Sequence, residues 1–541
     1  MIYVIAKDGS GDFDTIQSAI DALPEEDSCP STLVVRSGEY NERVVLNKRG
    51  VRLVGEDQQR TVITFSACAK DADSEGKPKG AFLSFTLLVA ANDVEIENIT
   101  VRNDAGDGRV AGQAVAVYSA GDRVAFRDCR LIAHQDTLFC GPLMPKVLKE
   151  IAPRTAFVEC VESVGDSPLT HSRQYFENCY IQGDIDFIFG PYRCWFQGCE
   201  LFMNERGGFY TAANTPEAQP YGFVFSRCKL TGACESGMAY LGRPWRKFAR
   251  THFSCCEMDE CVSPEGFSDW GEDKPVTERL SEFSTMGARR DMTQRNPCEG
   301  LPSTCEVSDI TPENVIGGLD GWKPHLPKPT WYVCGDSIAA TYTKDKAPMT
   351  GWGQVLGLLT DNNAYVQNCA MCGRSSKSFV AEGRLSVIEI CLRKGDKLLI
   401  SFSHNDEKPD RGRHTEPGTT FEDYLSMYID AANRRGAEPV LITPMPRRHV
   451  DQNGAHKHTH GDYPAAMKAL AAYRGVRLID LEAVIEKEIA IVGIEASKEM
   501  YCHVPKGHPN YPDGLEDNSH LSRTGAMKAA QLICTSVSKQ K

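Results

Sequence analysis

Long apolar runs are missing from this sequence. The opening stretch, MIYVIAKDGSGDFDTIQSAI, has no apolar core of signal-peptide length, and no later stretch is long enough to span a bilayer. An excess of basic residues is missing as well, because 60 Lys and Arg face 73 Asp and Glu, for a net charge of -13. Nucleic acids and anionic membranes are normally bound by basic patches, so we expect neither as a partner.

Cysteine, in contrast, is abundant, with 21 residues that stand mostly inside apolar runs. Free buried thiols are the simpler interpretation of that placement, and they indicate a reducing compartment. We therefore expect a cytoplasmic protein. A secreted protein whose signal has been removed would give the same sequence, and the sequence predicts no oligomeric state.

At 541 residues the chain exceeds what one hydrophobic core usually organises, so two or more domains are expected. The best boundary is GGLDGWKPHLPKPTWYVCGDS, where closely spaced prolines stop regular structure. We assign a first domain to residues 1–325, a linker to 326–329 and a second domain to 330–541.

A six-residue pattern returns along the first domain. Its copies are FRDCRL at 126–131, FENCYI at 176–181, FQGCEL at 196–201, FSRCKL at 225–230 and FSCCEM at 253–258. The last four copies start 20, 29 and 28 residues apart, which is typical of stacked coils in a β-solenoid. The Cys and the apolar residue two places later are predicted to point inward. The longer first interval is interpreted as a loop insertion over 141–168.

The second domain has a different sequence pattern. Short apolar strands at 331–334, 397–402, 439–443 and 476–480 alternate with helical stretches such as TFEDYLSMYIDAANRRG and YPAAMKALAAYRG. This alternation predicts an α/β fold with a parallel sheet and helices on both faces.

Five motifs of the first domain resemble those of pectin methylesterases, in the same order. They are GSGDFDTIQSAIDALP, GQAVAVYSAGDRVAFRDCRLIAHQDTLF, GDIDFIFG, YLGRPWR and NVIGGLDGWKP, spread over about residues 1–325. The resemblance implies a right-handed parallel β-helix that hydrolyses methyl esters of galacturonan without a metal or other cofactor.

Two aspartates fit the chemistry of such an ester hydrolysis. One carboxylate must be ionised to attack the carbonyl and the other protonated to supply the leaving alcohol, so their pKa values must be pushed apart. We assign the nucleophile to Asp186 and the acid to Asp136. The resemblance offers Arg243 of GRPW as the cation that keeps Asp186 ionised.

Three further residues complete this predicted site. Gln113 and Gln135 supply uncharged amide donors that suit an oxyanion hole. Trp245 offers a flat apolar face for a sugar ring. Each residue alone is commonplace in a β-solenoid, and their joint occurrence carries the interpretation.

Asp184 departs from the family pattern, which more often has a small neutral residue there. In a regular strand Asp184 would share a face with Asp186 and oppose its ionisation, with Phe187 and Phe189 together on the other face; alternatively Asp184 is turned to solvent. Paired acids also fit a rival interpretation, a Ca²⁺-dependent β-helical pectate lyase. The GRPW and HQD motifs do not resemble lyase motifs.

In the second domain, GDS at 335–337 follows a predicted strand, where active sites of α/β proteins form. With NCAMCGRSSKSF, SFSHNDEKP and EDNSHLSRTGA it resembles the SGNH or GDSL-type hydrolases, and rhamnogalacturonan acetylesterases in particular, over about residues 329–541. The implied fold is a three-layer α/β SGNH-hydrolase domain.

That resemblance implies Ser337 as the nucleophile, His520 as its base and Asp517 as the group that orients the imidazole. It also implies oxyanion donors in the backbone N–H groups of Ser337 and Gly373 and in the side-chain amide of Asn405. Ser403 is a departure, since the family usually has glycine two places before that Asn.

A histidine trio, His456, His458 and His460, alternates in GAHKHTHGDYP. An alternating trio can meet a metal on one strand face, but the surrounding Gly, Asn, Lys and Pro predict a loop, so no metal site is assigned.

The prediction for the whole chain is a bifunctional pectin esterase, which binds pectin polysaccharide or oligosaccharide, removes methyl groups in the first domain and removes acetyl groups from pectin or rhamnogalacturonan in the second. The alternatives are a catalytically silent carbohydrate-binding module in place of one domain, and the pectate lyase.

Overall fold

A computed structural model of the chain describes residues 1–24, 31–73, 76–151, 172–271, 279–291, 293–296, 310–361, 363–450 and 457–538. It divides into two compact units, Met1–Pro327 and Lys328–Lys541, and this division lies within the predicted linker 326–329. Among the described residues, no helix has the length and apolar character needed to cross a membrane.

The first unit is a parallel β-helix made of three long sheets that the chain visits in turn. The first sheet contains Ile2–Ile5, Ser31–Val35, Val51–Gly55, Val94–Glu97, Val124–Arg127, Arg173–Glu177, Arg193–Gln197, Phe223–Ser226, Thr251–Ser254 and Leu280–Phe283. The second contains Gly38–Asn41, Thr61–Phe65, Thr100–Asn103, Arg130–Ile132, Tyr180–Gly183, Glu200–Met203, Lys229–Gly232, Glu257–Met258 and Met286–Gly287. The third contains Val44–Leu46, Leu87–Val89, Val117–Ser119, Leu138–Cys140, Ile188–Gly190 and Thr211–Ala213.

Shorter elements decorate this stack of coils. A two-stranded pair joins Gly208–Phe209 to Ala239–Tyr240. The helices are Ile16–Asp21, Gly108–Ala111, Pro145–Ile151 and Pro312–Ile316, with a 3₁₀ turn at Ala81–Leu83. The first two of these helices begin at side-chain caps, Thr15 and Asp107, whose oxygens accept from the backbone of the first turn.

The six-residue repeat forms the corner between the first and second sheets. Its phenylalanines are paired in register and stacked, with ring centroids 4.4–5.0 Å apart between neighbours from Phe126 to Phe253. The residue before each Cys has a positive φ, from 50° to 61°, which turns the chain inward. The inward prediction is confirmed, since the repeat cysteines and the apolar residues two places later are at most 1% exposed.

The predicted insertion over 141–168 contains the helix Pro145–Ile151, and the residues from 152 to 171 lie outside the described part of the chain.

The second unit is an α/β domain, as predicted, built on a five-stranded sheet in which all neighbours are parallel. In spatial order its strands are Tyr365–Asn368, Thr330–Gly335, Lys397–Ser401, Glu438–Ile442 and Arg477–Ile479. The helices are Trp352–Leu356, Ser376–Ala381, Arg384–Cys391, Thr420–Arg434, Tyr463–Arg474, Leu481–Val492 and Arg523–Ser538, with 3₁₀ turns at Lys344–Lys346, Gly357–Leu359 and Ala496–Met500. An antiparallel pair, Tyr501–Val504 with Leu515–Leu521, precedes the last helix. The strands that lead to Ser337 and Ser403 lie side by side in the sheet.

Candidate active sites

The two predicted carboxylates of the first unit occupy equivalent positions in successive coils. Leu138 pairs with Ile188 in the third sheet, and Asp136 and Asp186 each lie two residues before these partners. Both aspartates have left-handed backbone angles, with φ of 67° and 52°. The N–H of Asp136 donates to the carbonyl of Ile185 at 3.1 Å, which ties the two turns together. The coil stacking therefore brings the HQD and GDID motifs side by side.

The predicted amide donors lie in adjoining coils. Gln113 and Gln135 form an isolated parallel bridge, and the N–H of Ala114 donates to the carbonyl of Gln135 at 3.0 Å. Both side chains are half-buried. Three successive coils therefore carry these residues: the first carries Gln113, the second carries Gln135 and Asp136, and the third carries Asp186.

Arg243 binds Asp186 through two hydrogen bonds. Its Nε donates to Oδ1 at 2.9 Å and its Nη2 donates to Oδ2 at 2.8 Å. The guanidinium lies 4.0 Å from the ring centre of Phe209 and 3.8 Å from that of Trp270. These two aromatic walls were not predicted, and no motif spacing marked them; they hold the guanidinium by cation–π contact.

The two carboxyl groups differ in electrostatic environment. Burial raises the pKa of Asp136 well above its usual range, and the negative charges of Asp186 and Asp184 raise it further. Burial also raises the pKa of Asp186, but there the two hydrogen bonds and the charge of Arg243 oppose the shift. Asp136 is therefore the group that holds a proton, and Asp186 is the group that ionises first.

Asp184 is neither turned to solvent nor part of a regular strand with Asp186. It lies in the bend between Tyr180–Gly183 and Ile188–Gly190, where the positive φ of Asp186 breaks the alternation of faces. Its side chain is 1% exposed, accepts from the N–H of Ile185 at 2.7 Å and lies 3.3 Å from Nδ1 of His134. The charge of Asp184 raises the pKa of Asp136. The expectation that this charge would oppose the ionisation of Asp186 is therefore wrong about which aspartate it affects.

The prediction that Phe187 and Phe189 share one buried face is also wrong, and the same broken alternation explains the error. Phe187 packs in the interior of the coils, whereas Phe189 packs in an outer cluster with Phe139 at 4.8 Å between ring centres. Trp245 lies on that outer cluster, 6.0 Å from Phe189. Trp245 is partly buried there, on the same side of the coils as the third sheet.

In the second unit, three predicted residues from distant parts of the chain form one hydrogen-bonded line. Nε2 of His520 lies 3.0 Å from Oγ of Ser337, and Nδ1 lies 2.7 Å from Oδ2 of Asp517. Burial disfavours the charge of Asp517, but hydrogen bonds from His520 and from the backbone of Ser519 and His520 lower the pKa of Asp517 to about 2. The carboxylate therefore stays ionised and orients the imidazole.

The residues that carry the predicted oxyanion donors all line one cavity of about 390 Å³. They are Ser337, Gly373 and Asn405, and His520 lines the same cavity. The side-chain amide of Asn405 donates to the carbonyl of Arg374 at 3.1 Å and keeps a second N–H. Within the described residues, the backbone N–H groups of Ser337 and Gly373 make no hydrogen bond. The hydroxyl of Tyr342 donates to the carbonyl of Ser337 at 2.8 Å and braces the turn.

Behind Asn405 lies a buried charged network that sequence reasoning missed. Ser403, with φ of 156°, donates from Oγ to Glu407 at 2.7 Å, so the serine that replaces the family's glycine has a partner of its own. Glu407 also binds Arg447 at 2.8 Å and the imidazole of His460. Burial opposes the charge of Glu407, but His460, Ser403 and Arg447 together lower its pKa to about 2.

The histidine trio is divided in its surroundings. His456 lies outside the described residues. The ring of His460 is buried against Glu407 and the carbonyl of Met445, whereas His458 is exposed and lies 2.7 Å from Glu486. Ligand-type atoms of His458, Glu482 and Glu486 lie within 4.8 Å of one another.

Both sites coincide with family models. Residues 2–142 and 147–318 match the pectinesterase model, and residues 333–527 match that of the GDSL-like lipase/acylhydrolase family. The chain belongs to the pectinesterase family and, over its second unit, to the GDSL-like acylhydrolase family.

Alignments of each unit with its relatives cover most of the length of those relatives. Rhamnogalacturonan acetylesterase RhgT of Bacillus subtilis (strain 168) is 45% identical over 207 residues, which is 38% of this chain and 88% of that protein. Pectinesterase 31 of Arabidopsis thaliana is 32% identical over 274 residues, which is 49% of this chain and 76% of that protein. The solved pectin methylesterase from carrot is 27% identical, with a TM-score of 0.48, covering 58% of this chain and 93% of its own. The pectinesterase unit and the acylhydrolase unit are thus each similar to proteins that are named as esterases.

Proposed function

We propose that this protein is a bifunctional pectin esterase, whose pectinesterase unit removes methyl groups from homogalacturonan and whose acylhydrolase unit removes acetyl groups from pectin or rhamnogalacturonan. One observation supports the proposal: in each unit, side chains suited to act as nucleophile, proton-transfer group and amide donors lie on neighbouring segments. The pectinesterase and rhamnogalacturonan acetylesterase relatives support the substrate classes.

In the pectinesterase unit, the ionised carboxylate of Asp186 attacks the carbonyl carbon of the methyl ester. Gln113 and Gln135 donate hydrogen bonds to the oxyanion of the tetrahedral intermediate. The C–O bond to the methoxy group then breaks, and Asp136 gives its proton to the leaving methanol. The resulting anhydride with Asp186 is hydrolysed by a water from which Asp136 takes a proton. The product leaves as the uronic acid, which gives its proton to solvent, and both aspartates return to their starting states.

In the acylhydrolase unit, His520 removes the proton of Ser337 as Oγ attacks the acetyl carbonyl. The N–H groups of Ser337 and Gly373 and the amide of Asn405 receive the oxyanion. His520 then protonates the sugar hydroxyl that leaves. Water, activated by the same imidazole, releases acetate from Ser337.

The two alternatives have less support. A pectate lyase would require converging Ca²⁺ ligands, and within the described residues of the pectinesterase unit no three ligand-type side chains meet in that way. A silent binding module would not need the hydrogen-bonded line from Ser337 to Asp517 in one unit and the paired Asp186 and Arg243 in the other.

The test uses methylated and acetylated pectin with the full chain, and measures methanol and acetate separately. Asp186→Ala is expected to abolish methanol release and to spare acetate release, and Ser337→Ala is expected to do the reverse. Exposed Asp259→Ala and Ser386→Ala serve as matched controls, one in each unit, and leave both products unchanged.

Acetate release that persists in Ser337→Ala would overturn the proposal for the acylhydrolase unit. Formation of unsaturated uronates in place of methanol would overturn it for the pectinesterase unit.

A further inference from the structure

The cavity beside Ser337 carries two lysines that the acetyl-transfer chemistry does not use. Lys346 and Lys408 line the same cavity as the nucleophile and His520. Lys346 ends the 3₁₀ turn Lys344–Lys346, and Lys408 lies three places after Asn405, where its N–H donates to the Asn405 carbonyl at 3.2 Å. Each ammonium therefore belongs to a segment adjacent to the reacting groups.

Both ammonium groups are available to a ligand. Neither forms an ion pair or a side-chain hydrogen bond with any residue in the described part of the chain. The nearby acidic groups have other partners: Asp410 binds Arg413 at 2.6 Å, and Glu407 binds Arg447. Asp345, the neighbour of Lys346, hydrogen-bonds with Thr343, which lowers the pKa of Asp345, and the charge of Lys346 contributes to the same shift only weakly. No Asp or Glu is among the described side chains that line the cavity.

The segment that carries Lys346 is fixed in place. The hydroxyl of Tyr511 donates to the carbonyl of Lys346 at 2.9 Å, and the amide of Asn510 donates to the carbonyls of Lys344 and Ala347 at 2.9 and 2.8 Å. Tyr511 and Tyr342 also line the cavity and supply aromatic faces for sugar rings. A cavity of about 390 Å³ has the size of a small-ligand site.

We propose that Lys346 and Lys408 form a subsite for a free uronate carboxylate of the polymer. The acylhydrolase unit then removes acetyl groups preferentially from sugars whose own or adjoining carboxyl group is not esterified. This inference rests on the proposed function of the unit, and it extends that function to the order of reactions. Hydrolysis of methyl esters is the class of reaction that must supply the preferred substrate, and the pectinesterase unit of the same chain performs that reaction.

Charge explains the preference. A methyl-esterified uronate is neutral and gains nothing from an ammonium group, whereas a free uronate gains the attraction of two exposed cations. Ion pairs between exposed groups are individually weak, so the two together are expected to give a ratio of kcat/KM of about fivefold. The ratio must fall as salt screens the charges.

The experiment uses the full chain with Asp186→Ala, so that no demethylation occurs during the assay. Three acetylated galacturonan preparations of equal acetyl content are compared: free uronate, methyl ester, and a form whose carboxyl groups are reduced to alcohols. The free uronate is expected to exceed both neutral forms about fivefold in kcat/KM at low salt, and Lys346→Gln with Lys408→Gln is expected to bring the ratio to about 1. Lys394→Gln, an exposed lysine outside the cavity, is the control and keeps the fivefold ratio.

Each contrary outcome has a distinct meaning. Equal rates on all three preparations, with acetate release that depends on Ser337, overturn the subsite and leave the proposed function standing. If the carboxyl-reduced polymer loses acetate as fast as the free uronate, the methyl group is excluded by its size, and this also overturns the subsite. Acetate release that survives Ser337→Ala overturns the proposed function itself.

Discussion

In the pectinesterase unit the candidate nucleophile is a carboxylate with a cation beside it, whereas in the acylhydrolase unit it is a hydroxyl with a base beside it. Asp186 is held by Arg243 through two hydrogen bonds, and Ser337 is held by the imidazole of His520 through one. The first arrangement stabilises a charge that already exists, and the second removes a proton at the moment of attack.

The two arrangements should therefore fail in different ways. The balance of pKa values between Asp186 and Asp136 depends on the total charge around them, so that site is sensitive to any change of charge nearby. The line from Ser337 to Asp517 depends on which nitrogen of His520 carries the proton, so that site is sensitive to the loss of one acceptor.

The largest expected effect is that of Asp517→Asn on acetate release. An amide there donates to Nδ1 of His520 and so forces the proton onto Nε2, which can then no longer accept from Ser337. We expect kcat for acetate release to fall about 10⁴-fold, with methanol release unchanged. Asp513→Asn, an exposed change in the turn that precedes the strand of Asp517, is the control, and a loss below tenfold in Asp517→Asn would contradict the comparison.

The next effect is that of Arg243→Gln on methanol release. Burial then raises the pKa of Asp186 without opposition, so fewer molecules hold an ionised nucleophile at neutral pH. We expect a loss of about 10²-fold at pH 7 and an acidic limb of the pH–rate profile that moves to higher pH. Arg246→Gln, the exposed cation nearby, should leave the profile in place. An unchanged rate in Arg243→Gln would show that the nucleophile needs no cation.

A third prediction separates the two units by stability. The pKa of Glu407 is lowered from about 4.5 to about 2 in the folded protein. Its ion pairs therefore stabilise the acylhydrolase unit fully at pH values above about 4.5, and this stabilisation is lost as the pH falls through about 2. Glu407→Gln should destabilise that unit by about 3 kcal/mol at pH 7 and by progressively less below pH ~4.5.

The measurement for Glu407→Gln is the urea concentration at which each product is lost. Only the midpoint for acetate release should fall, with that for methanol release as the internal control. Equal shifts of both midpoints would mean that the two units unfold together.

The smallest effect is that of Asp184→Asn. Removing this buried charge lowers the pKa of Asp136, so the acid loses its proton at lower pH and the alkaline limb of methanol release moves to lower pH. The rate at pH 7 should change only a few-fold. Glu205→Gln, an exposed acid in the next coil, is the control, and an alkaline limb that stays in place would assign Asp184 a purely structural role.

The repeat and the motif order of the sequence were sufficient to predict the β-helix and the α/β domain. The Phe and Cys of each repeat stand at fixed offsets, so one inward face could be extended over all copies. Residues of the sites that belong to motifs, such as Asp136, Asp186, Ser337 and His520, were predicted for the same reason.

What could not be predicted depends on backbone turns and on contacts between distant segments. The left-handed conformation of Asp186 breaks the alternation of faces, so the orientation of Asp184 and the separation of Phe187 from Phe189 could not be deduced from spacing. Trp270 beside Arg243, and His460 beside Glu407, are brought together only by the complete fold. No local pattern marks such pairs.

The stacking of Asp136 on Asp186 has a consequence for how the site can change over evolutionary time. Asp136 and Asp186 each lie two places before Leu138 and Ile188, which pair in adjacent coils, and paired strands of a sheet are about 4.8 Å apart. Main-chain hydrogen bonds impose that length, and side-chain substitutions do not alter it. Mutation can replace either side chain, but the spacing between the two coils is inherited unchanged with the β-helix itself.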